Sequence, residues 1–504
     1  MAESREAGTA TEETGAASRR VARNVAARTG GELIAKLTSI AFFIVMAREL
    51  GRQGFGDFTF AFSLTSLLLI ASGFGTEDLI AREVARDHRR ARDYLGNVAT
   101  VKALTSIGLV LLAALIATLG DHSPQAVTAV YLIGTGIALQ NLSRTWYALL
   151  LAFERMEFVA LALIVERTTI AVVGIMVLLS GGDLVDVSVI FAAGAGLGLL
   201  VTISSLRRFV APVRWRVALS SWMPLIRAGV PIGLAYLIFT ILLRLDTVLL
   251  GLIRGGEDNS EVGVYGAAFR LLEGTFFVSA AVGTATLPWF ARQHADNLRA
   301  LAPGFELGLK LTAGLLMPVG VAFATRAADI VELVYGSVYA GAALPLALLG
   351  VTAVAFGINN LIATALTARD RPGRFVRIAI IVTIENVALN LLTIPRYGAD
   401  AAAFNAALSG VLLVVLSLRE VDRFGRISLL RALGAPAAGG IAMTAVALIP
   451  VLPLVPALAL GGAAYLGGFL LFDRAAFPAD LAIIRGLLGR RGAPAPPPAA
   501  TQEP

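Results

Sequence analysis

The chain has 504 residues, 57% of them hydrophobic and 15% charged, with a formal net charge of +7 and no cysteine. Its mean hydropathy is +0.77, and a soluble protein of this length could not cover so much apolar surface with so few charges. Disulfides and thiol chemistry are excluded; His88, His122 and His294 fall in polar gaps and offer no buried zinc or haem set; and the cations are scattered over short loops instead of forming a nucleic-acid patch.

A bilayer helix needs about 20 apolar residues, and such stretches follow one another almost without pause. Residues 1–29 are polar and read as a cytoplasmic tail. The expected spans are then 30–48, 58–76, 103–119, 127–143, 159–179, 187–205, 229–252, 263–289, 311–325, 341–367, 379–395, 401–417, 432–449 and 454–472. Residues 473–504 are polar again and end in a Pro-rich run, which predicts a second, disordered cytoplasmic tail. The predicted fold class is an all-α polytopic membrane protein of about fourteen transmembrane helices.

Arginine marks alternate gaps. Arg82, Arg86, Arg89, Arg90 and Arg92 follow the second span, and Arg207, Arg208, Arg214, Arg216 and Arg227 the sixth. Arg369, Arg371, Arg374 and Arg377 follow the tenth, and Arg419, Arg423, Arg426 and Arg431 the twelfth. The gaps assigned outside hold only Arg48, Arg52, Arg254, Arg326 and Arg396. Cytoplasmic loops carry the Lys/Arg excess, so both termini are expected inside a cell membrane. Outer gaps such as 120–125 and 181–186 are too short to build an external catalytic domain, which argues against a membrane glycosyltransferase or polymerase and against an enzyme in general. No cofactor or metal ligand set is expected.

A weak repeat links the outer turn Leu50-Gly51-Arg52-Gln53-Gly54-Phe55-Gly56-Asp57-Phe58 with Leu252-Ile253-Arg254-Gly255-Gly256 and the following Val262-Gly263-Val264-Tyr265. Each copy places a glycine and an aromatic at the entrance of the next helix. Six spans per copy predict two parallel lobes, 30–205 and 229–417, with two helices appended at 432–472.

Four stretches carry a family likeness: Ala47-Arg48-Glu49-Leu50-Gly51 with Gly54-Phe55-Gly56; Arg82-Glu83-Val84-Ala85-Arg86; Leu245 to Gly251 with Val262 to Ala268 and Arg270-Leu271-Leu272-Glu273; and Asn390 to Gly398. Over roughly residues 25 to 420 the chain resembles the polysaccharide-transport branch of the multidrug/oligosaccharidyl-lipid/polysaccharide exporter superfamily. That resemblance implies a flippase moving a polyprenyl-diphosphate-linked oligosaccharide from the inner to the outer leaflet by alternating access. Its partners would be membrane lipids and the glycosyltransferases and polymerase of the same surface-polysaccharide pathway, with no nucleic acid. A lipid II flippase and a multidrug/cation antiporter of the same superfamily remain alternatives, the antiporter disfavoured by an excess of buried cations over acids.

An intramembrane charge is a functional candidate by default, because hydrocarbon strips its water. At 1.5 Å per residue, Arg244 lies roughly 12 Å, Arg270 roughly 11 Å and Lys36 roughly 9 Å from the nearest span end. These three are the candidate diphosphate ligands. Local pairing competes with that role for Lys36, four residues from Glu32, and for Arg270, three residues from Glu273. Arg244 and Asp246 point to different faces, so Arg244 is the cation least explained by its own helix, with snorkelling to headgroups as its alternative. Glu385, Asn390, Asp246, Glu273, Asn359 and Asn360 are candidates for ion coupling or sugar contact, whereas Glu166 beside Arg167 reads mainly as a helix-to-helix tie.

Overall fold

The computed structural model describes residues 2–73, 75–88, 91–209, 222–292, 301–368, 372–422 and 427–478. Side chains of residues 2–37, Lys36 among them, lie outside that description, as does the Pro-rich tail from residue 479. In chain order the α-helices are α1 (Ala2–Gly73), α2 (Thr76–Arg86), α3 (Ala91–Leu119), α4 (Pro124–Ala152), α5 (Met156–Leu179), α6 (Leu184–Phe209) and α7 (Trp222–Arg254). They continue as α8 (Ser260–Glu273), α9 (Phe276–Arg292), α10 (Leu301–Tyr335), α11 (Ala343–Thr367), α12 (Pro372–Asp422), α13 (Leu429–Ala447) and α14 (Leu454–Ala476), with a 3₁₀ segment, Ser337–Ala342, between α10 and α11.

Eleven helices among the described residues are long and apolar enough to cross a membrane. Two of them hold more than one crossing. The apolar part of α1, Thr38–Gly73, has 36 residues, about 54 Å of helix, and is broken at Gly51 (φ 66°, ψ −174°). In α12 the stretch Gly373–Val421 has 49 residues, about 74 Å, broken at Gly398 (φ 54°, ψ −129°). Both glycines adopt a left-handed φ that a side chain disfavours, so at each of these places two helices meet at a single non-helical residue, and the expected outer turns are that short. Conversely, the expected span 263–289 is interrupted: α8 ends at Glu273 and α9 begins at Phe276. With 14 residues, α8 reaches only about 21 Å, short of a hydrocarbon core of about 30 Å.

Local chemistry sets several helix starts. Ser123 accepts the Ala126 N–H ahead of Pro124 at the first position of α4, and Asp183 accepts the N–H groups of Val185 and Asp186 at the start of α6. Each satisfies donors that lipid cannot.

The chain divides into two compact units. The first comprises residues 1–274, 327–352 and 373–416, and the second 275–326, 353–372 and 417–504. In the first, α1 packs on α4, α5, α7 and α8, and α4 and α5 both pack on α6. Small residues permit the close approach that lipid-embedded helices use in place of a hydrophobic drive: a Cβ on Gly136 would meet the Phe191 ring at 2.7 Å, one on Gly174 the Phe42 ring at 2.5 Å, and one on Gly194 the Ile170 side chain at 2.4 Å.

In the second unit α13 and α14 form a tight hairpin, with Gly439 against the Tyr465 carbonyl. Tyr465 donates from its hydroxyl to the Gly314 carbonyl on α10 (2.9 Å), and Lys310 meets Asp473 at 2.6 Å, with both side chains buried. Arg326 donates to the Leu452 carbonyl. Asn359 and Asn360 belong to this unit, where Asn360 faces Gly283 of α9.

Candidate functional site

The charged centre of the first unit is built by α7 and α8. Arg244 donates from Nη2 to Oε1 of Glu273 at 2.7 Å, and Arg270 donates from Nη1 to Oε2 of the same carboxylate, also at 2.7 Å. Each carboxylate oxygen therefore serves one guanidinium, and the trio keeps a net charge of +1. Aromatic faces hold the cations: Arg270 lies 3.8 Å over Phe43 and 5.0 Å over Phe62, while Arg244 lies 5.1 Å from Phe62 and 5.7 Å from Phe269. A guanidinium stacks well on such faces. Its side chains stay partly open, at 16% for Arg244, 11% for Arg270 and 20% for Glu273, unlike the sealed Lys310–Asp473 pair at 1% and 0%. The arrangement can present two fixed, forked donors to phosphate oxygens.

Two sequence expectations meet here. Arg270 and Glu273 do form the same-face pair that their spacing implies, and Arg244 finds its partner, Glu273, on the neighbouring helix. Sequence reasoning missed Phe43, Phe62 and Phe269, whose only signal was an aromatic at a helical position within an apolar run.

Asp246, two residues beyond Arg244, faces the other way into α12. Its Oδ1 accepts the Asn390 amide at 2.5 Å, and its Oδ2 accepts the Tyr265 hydroxyl at 3.4 Å. From Asn390 the chain runs on: its amide also reaches Asn386 Oδ1 at 3.0 Å, and Asn405 donates to Asn390 Oδ1 at 2.8 Å and to Thr393 at 2.9 Å. Asn386 donates to Ser409, whose hydroxyl donates to Glu385 at 2.9 Å. Asp246, Asn386, Asn390, Asn405 and Ser409 are all buried, whereas Glu385 is half-buried at the margin. The structure thus joins three of the coupling candidates, Asp246, Asn390 and Glu385, and adds Asn405, Ser409 and Tyr265. Glu166 accepts the Gln140 side-chain amide at 2.7 Å, with the Arg167 guanidinium further off at 3.9 Å.

A third cluster packs tightly at one end of this unit. At the α1–α8 crossing a Cβ on Gly56 would lie 2.0 Å from the Asn259 carbonyl oxygen, and one on Gly263 would lie 2.0 Å from that of Arg52. Buried Asn259 donates to Asp57 at 2.6 Å and meets Nδ1 of His122 at 3.1 Å. Although its loop is polar, His122 is buried and stacks on Phe60 at 3.9 Å. Burial holds its imidazole below the ordinary range, offset in part by the Gly256 backbone and by Asp121. Nearby, Tyr339 donates to the Ala47 carbonyl, and Arg48 donates to the carbonyls of Leu333 and Val334 at the end of α10.

Known proteins share this architecture. The chain is 26% identical over 417 residues to the "Probable flippase AglR" of Haloferax volcanii, covering 80% of this chain and 84% of the relative. It is 22% identical to the "Probable low-salt glycan biosynthesis flippase Agl15" of the same organism, covering 76% and 79%. Among solved structures, "Lipid II flippase MurJ, inward closed conformation" superposes with a TM-score of 0.74 at 15% identity, covering 92% of this chain and 99% of that one. An inward-facing multidrug resistance MATE family transporter superposes with a TM-score of 0.63 at 15% identity, covering 77% and 95%. The family described as "Polysaccharide biosynthesis protein" matches residues 21–294. More than half of the chain, from α1 through the arginine centre on α7 and α8 to the end of α9, fits that description, and the chain is a member of the polysaccharide biosynthesis protein family.

Proposed function

We propose that the protein is a flippase carrying a polyprenyl-diphosphate-linked oligosaccharide from the inner to the outer leaflet of the cell membrane for surface-polysaccharide biosynthesis. The observation that carries this reading is the pair of guanidinium groups, aromatic-braced and partly open, at intramembrane positions. A diphosphate entering hydrocarbon loses hydration worth several kcal/mol per polar group, and two preorganised forks replace it. The flippase names of the two Haloferax relatives point the same way. Arg244 and Arg270 bind the diphosphate; Asn359 and Asn360, in the second unit, stay candidates for sugar contact from the sequence, and Lys36 stays a ligand candidate through its depth in the first expected span and the family resemblance. The lobes 30–205 and 229–417 alternate access, and the glycosyltransferases and polymerase of the pathway supply and consume the lipid.

Arginine asymmetry puts both termini inside and hence the His122–Gly56–Gly263 end outside. Asp246, with the amide oxygens of Asn386, Asn390 and Asn405, offers a hard-oxygen set suited to Na⁺ or a proton, so coupling is assigned to this ladder, with Glu385 at its margin.

Proteoliposomes loaded with a fluorescent polyprenyl-diphosphate oligosaccharide test the function. Wild type should move the probe to the opposite leaflet. Arg244→Gln removes a charge-assisted contact worth about 1.5–3 kcal/mol and should weaken headgroup binding about 10- to 150-fold, with Arg244→Lys recovering part. Normal flipping by folded Arg244→Gln would remove this residue from the site.

A further inference from the structure

Glu273 sits where its own helix disfavours a carboxylate. It is the last residue of α8, beside the negative end of the helix dipole, where a cation is favoured and an anion is not. What holds it is the pair of arginines, one to each oxygen at 2.7 Å. The arginines have further holds: Arg270 is stacked 3.8 Å over Phe43, and Arg244 lies 5.1 Å from Phe62 and 5.7 Å from Phe269. Buried structural pairing in this chain looks different, for Lys310 and Asp473 are sealed from solvent. The carboxylate is therefore the exchangeable member of the trio, and it occupies the place where a phosphate oxygen on each side would lie.

We propose that Glu273 is a resident anion that sets a two-charge threshold for the headgroup. The proposal rests on the flippase reading above. A diphosphate carries two negative charges, so its arrival releases Glu273 and neutralises both guanidinium groups, one charge to each. An ordinary membrane phospholipid joined through a phosphodiester brings a single charge. Exchange of one monoanion for another leaves the arginines no better neutralised and offers nothing to offset the cost of freeing the carboxylate, a cost that the second charge of a diphosphate does offset. The abundant monoanionic lipids surrounding the protein are thereby kept out of the site without any steric filter, a repulsive element of the kind specificity requires.

The test compares binding of a polyprenyl-diphosphate monosaccharide with binding of phosphatidylglycerol to the full-length protein in neutral detergent, and in parallel the movement of both in proteoliposomes. Wild type should prefer the dianion strongly. Glu273→Gln keeps shape but removes the resident charge, and the preference ratio should fall at least tenfold through tighter phosphatidylglycerol binding, with phosphatidylglycerol flipping rising above wild type. Glu273→Ala removes the charge together with its stem and should lower the ratio likewise, which serves as the readout if the Gln variant fails to fold. An unchanged ratio in whichever of these variants is folded overturns the threshold, whatever the transport result. A collapsed ratio in a protein that moves no diphosphate lipid would keep the threshold and reject the flippase reading instead.

Discussion

Adding one methyl group at Gly56 should unlock the closed end of the first unit. The new Cβ would stand 2.0 Å from the Asn259 carbonyl oxygen, against 3.4 Å at the lower edge of ordinary contact, so α1 and α8 must part by 3.4 − 2.0 = 1.4 Å. Moving Asn259 that far stretches its 2.6 Å bond to Asp57 to 4.0 Å, beyond hydrogen-bond reach. Overpacking costs about 1–3 kcal/mol and the lost buried hydrogen bond about 1 kcal/mol. Together about 2–4 kcal/mol is withdrawn from the closed arrangement, a shift of about 30- to 800-fold in its equilibrium with an open one. The chain has no cysteine, so a Thr59→Cys substitution creates a lone thiol at a position that is buried beneath this crossing. A membrane-impermeant maleimide added outside should label it far faster in the Gly56→Ala background. Gly263→Ala should act alike, and the double variant should cost less than the sum, because helices already parted accept the second methyl easily. Unchanged labelling in a folded Gly56→Ala protein would refute the idea that this crossing holds the end shut.

In the second unit, Asp473→Asn removes the carboxylate charge facing the buried Lys310 ammonium and should lower stability by about 3–5 kcal/mol, measured as thermal unfolding in detergent; replacing both partners with Met and Leu should recover most of it, and equal losses in single and double variants would contradict the pairing argument. For His122, in the loop outside the membrane spans, neutral imidazole accepts from Asn259 while burial depresses its basicity; the open or unfolded state therefore binds the proton first, and closure, complete above about pH 6.5, should weaken as external pH falls below that value. Asp57, Asp121, Glu257, Asp258 and Arg52 supply the surrounding charges, and a His122→Gln variant whose Thr59→Cys labelling keeps the wild-type pH dependence would exclude the imidazole as its source. Asp246→Asn should remove any dependence of flipping on a Na⁺ or pH gradient while leaving the response to membrane potential, about 2.3 kcal/mol per charge per 100 mV; a retained ion response would move coupling away from the α7–α12 ladder.

Hydropathy made the spans legible because each crossing repeats the same requirement for apolar residues. It could not show how short the turns within α1 and α12 are, since a lone glycine at 51 or 398 hardly changes an average taken over a whole span. The break after Glu273 was hidden for the same reason: Gly274 and Thr275 are unremarkable in composition, and only the positions of neighbouring helices reveal that α8 stops in mid-span. Within the site, the Arg270–Glu273 contact follows from helical spacing. Arg244 and Glu273 are 29 residues apart, and Asp246 and Asn390 are 144 apart, so no local pattern predicts those bonds. What could be read was the need: each is a polar group that hydrocarbon would not tolerate alone.

The short helix α2 has a bearing on the lipid itself. Its Ile80 and Val84 are sunk among Trp146, Leu149 and Leu150, while Arg82 and Arg86 face outward, so it is a two-sided element suited to the boundary between acyl chains and headgroups. Glu77 ties it to the buried Lys102 of α3 at 2.7 Å, which prevents α2 from riding up or down independently of α3. This end of the first unit is consequently fixed to the headgroup plane like a waterline on a hull. The mismatch of a thicker or thinner bilayer, at fractions of a kcal/mol per Å, is then expected at the opposite end, where the Gly56–Gly263 crossing lies. Acyl-chain length thereby becomes a mechanical input to the transport cycle, acting on the crossing from a distance and without binding to it.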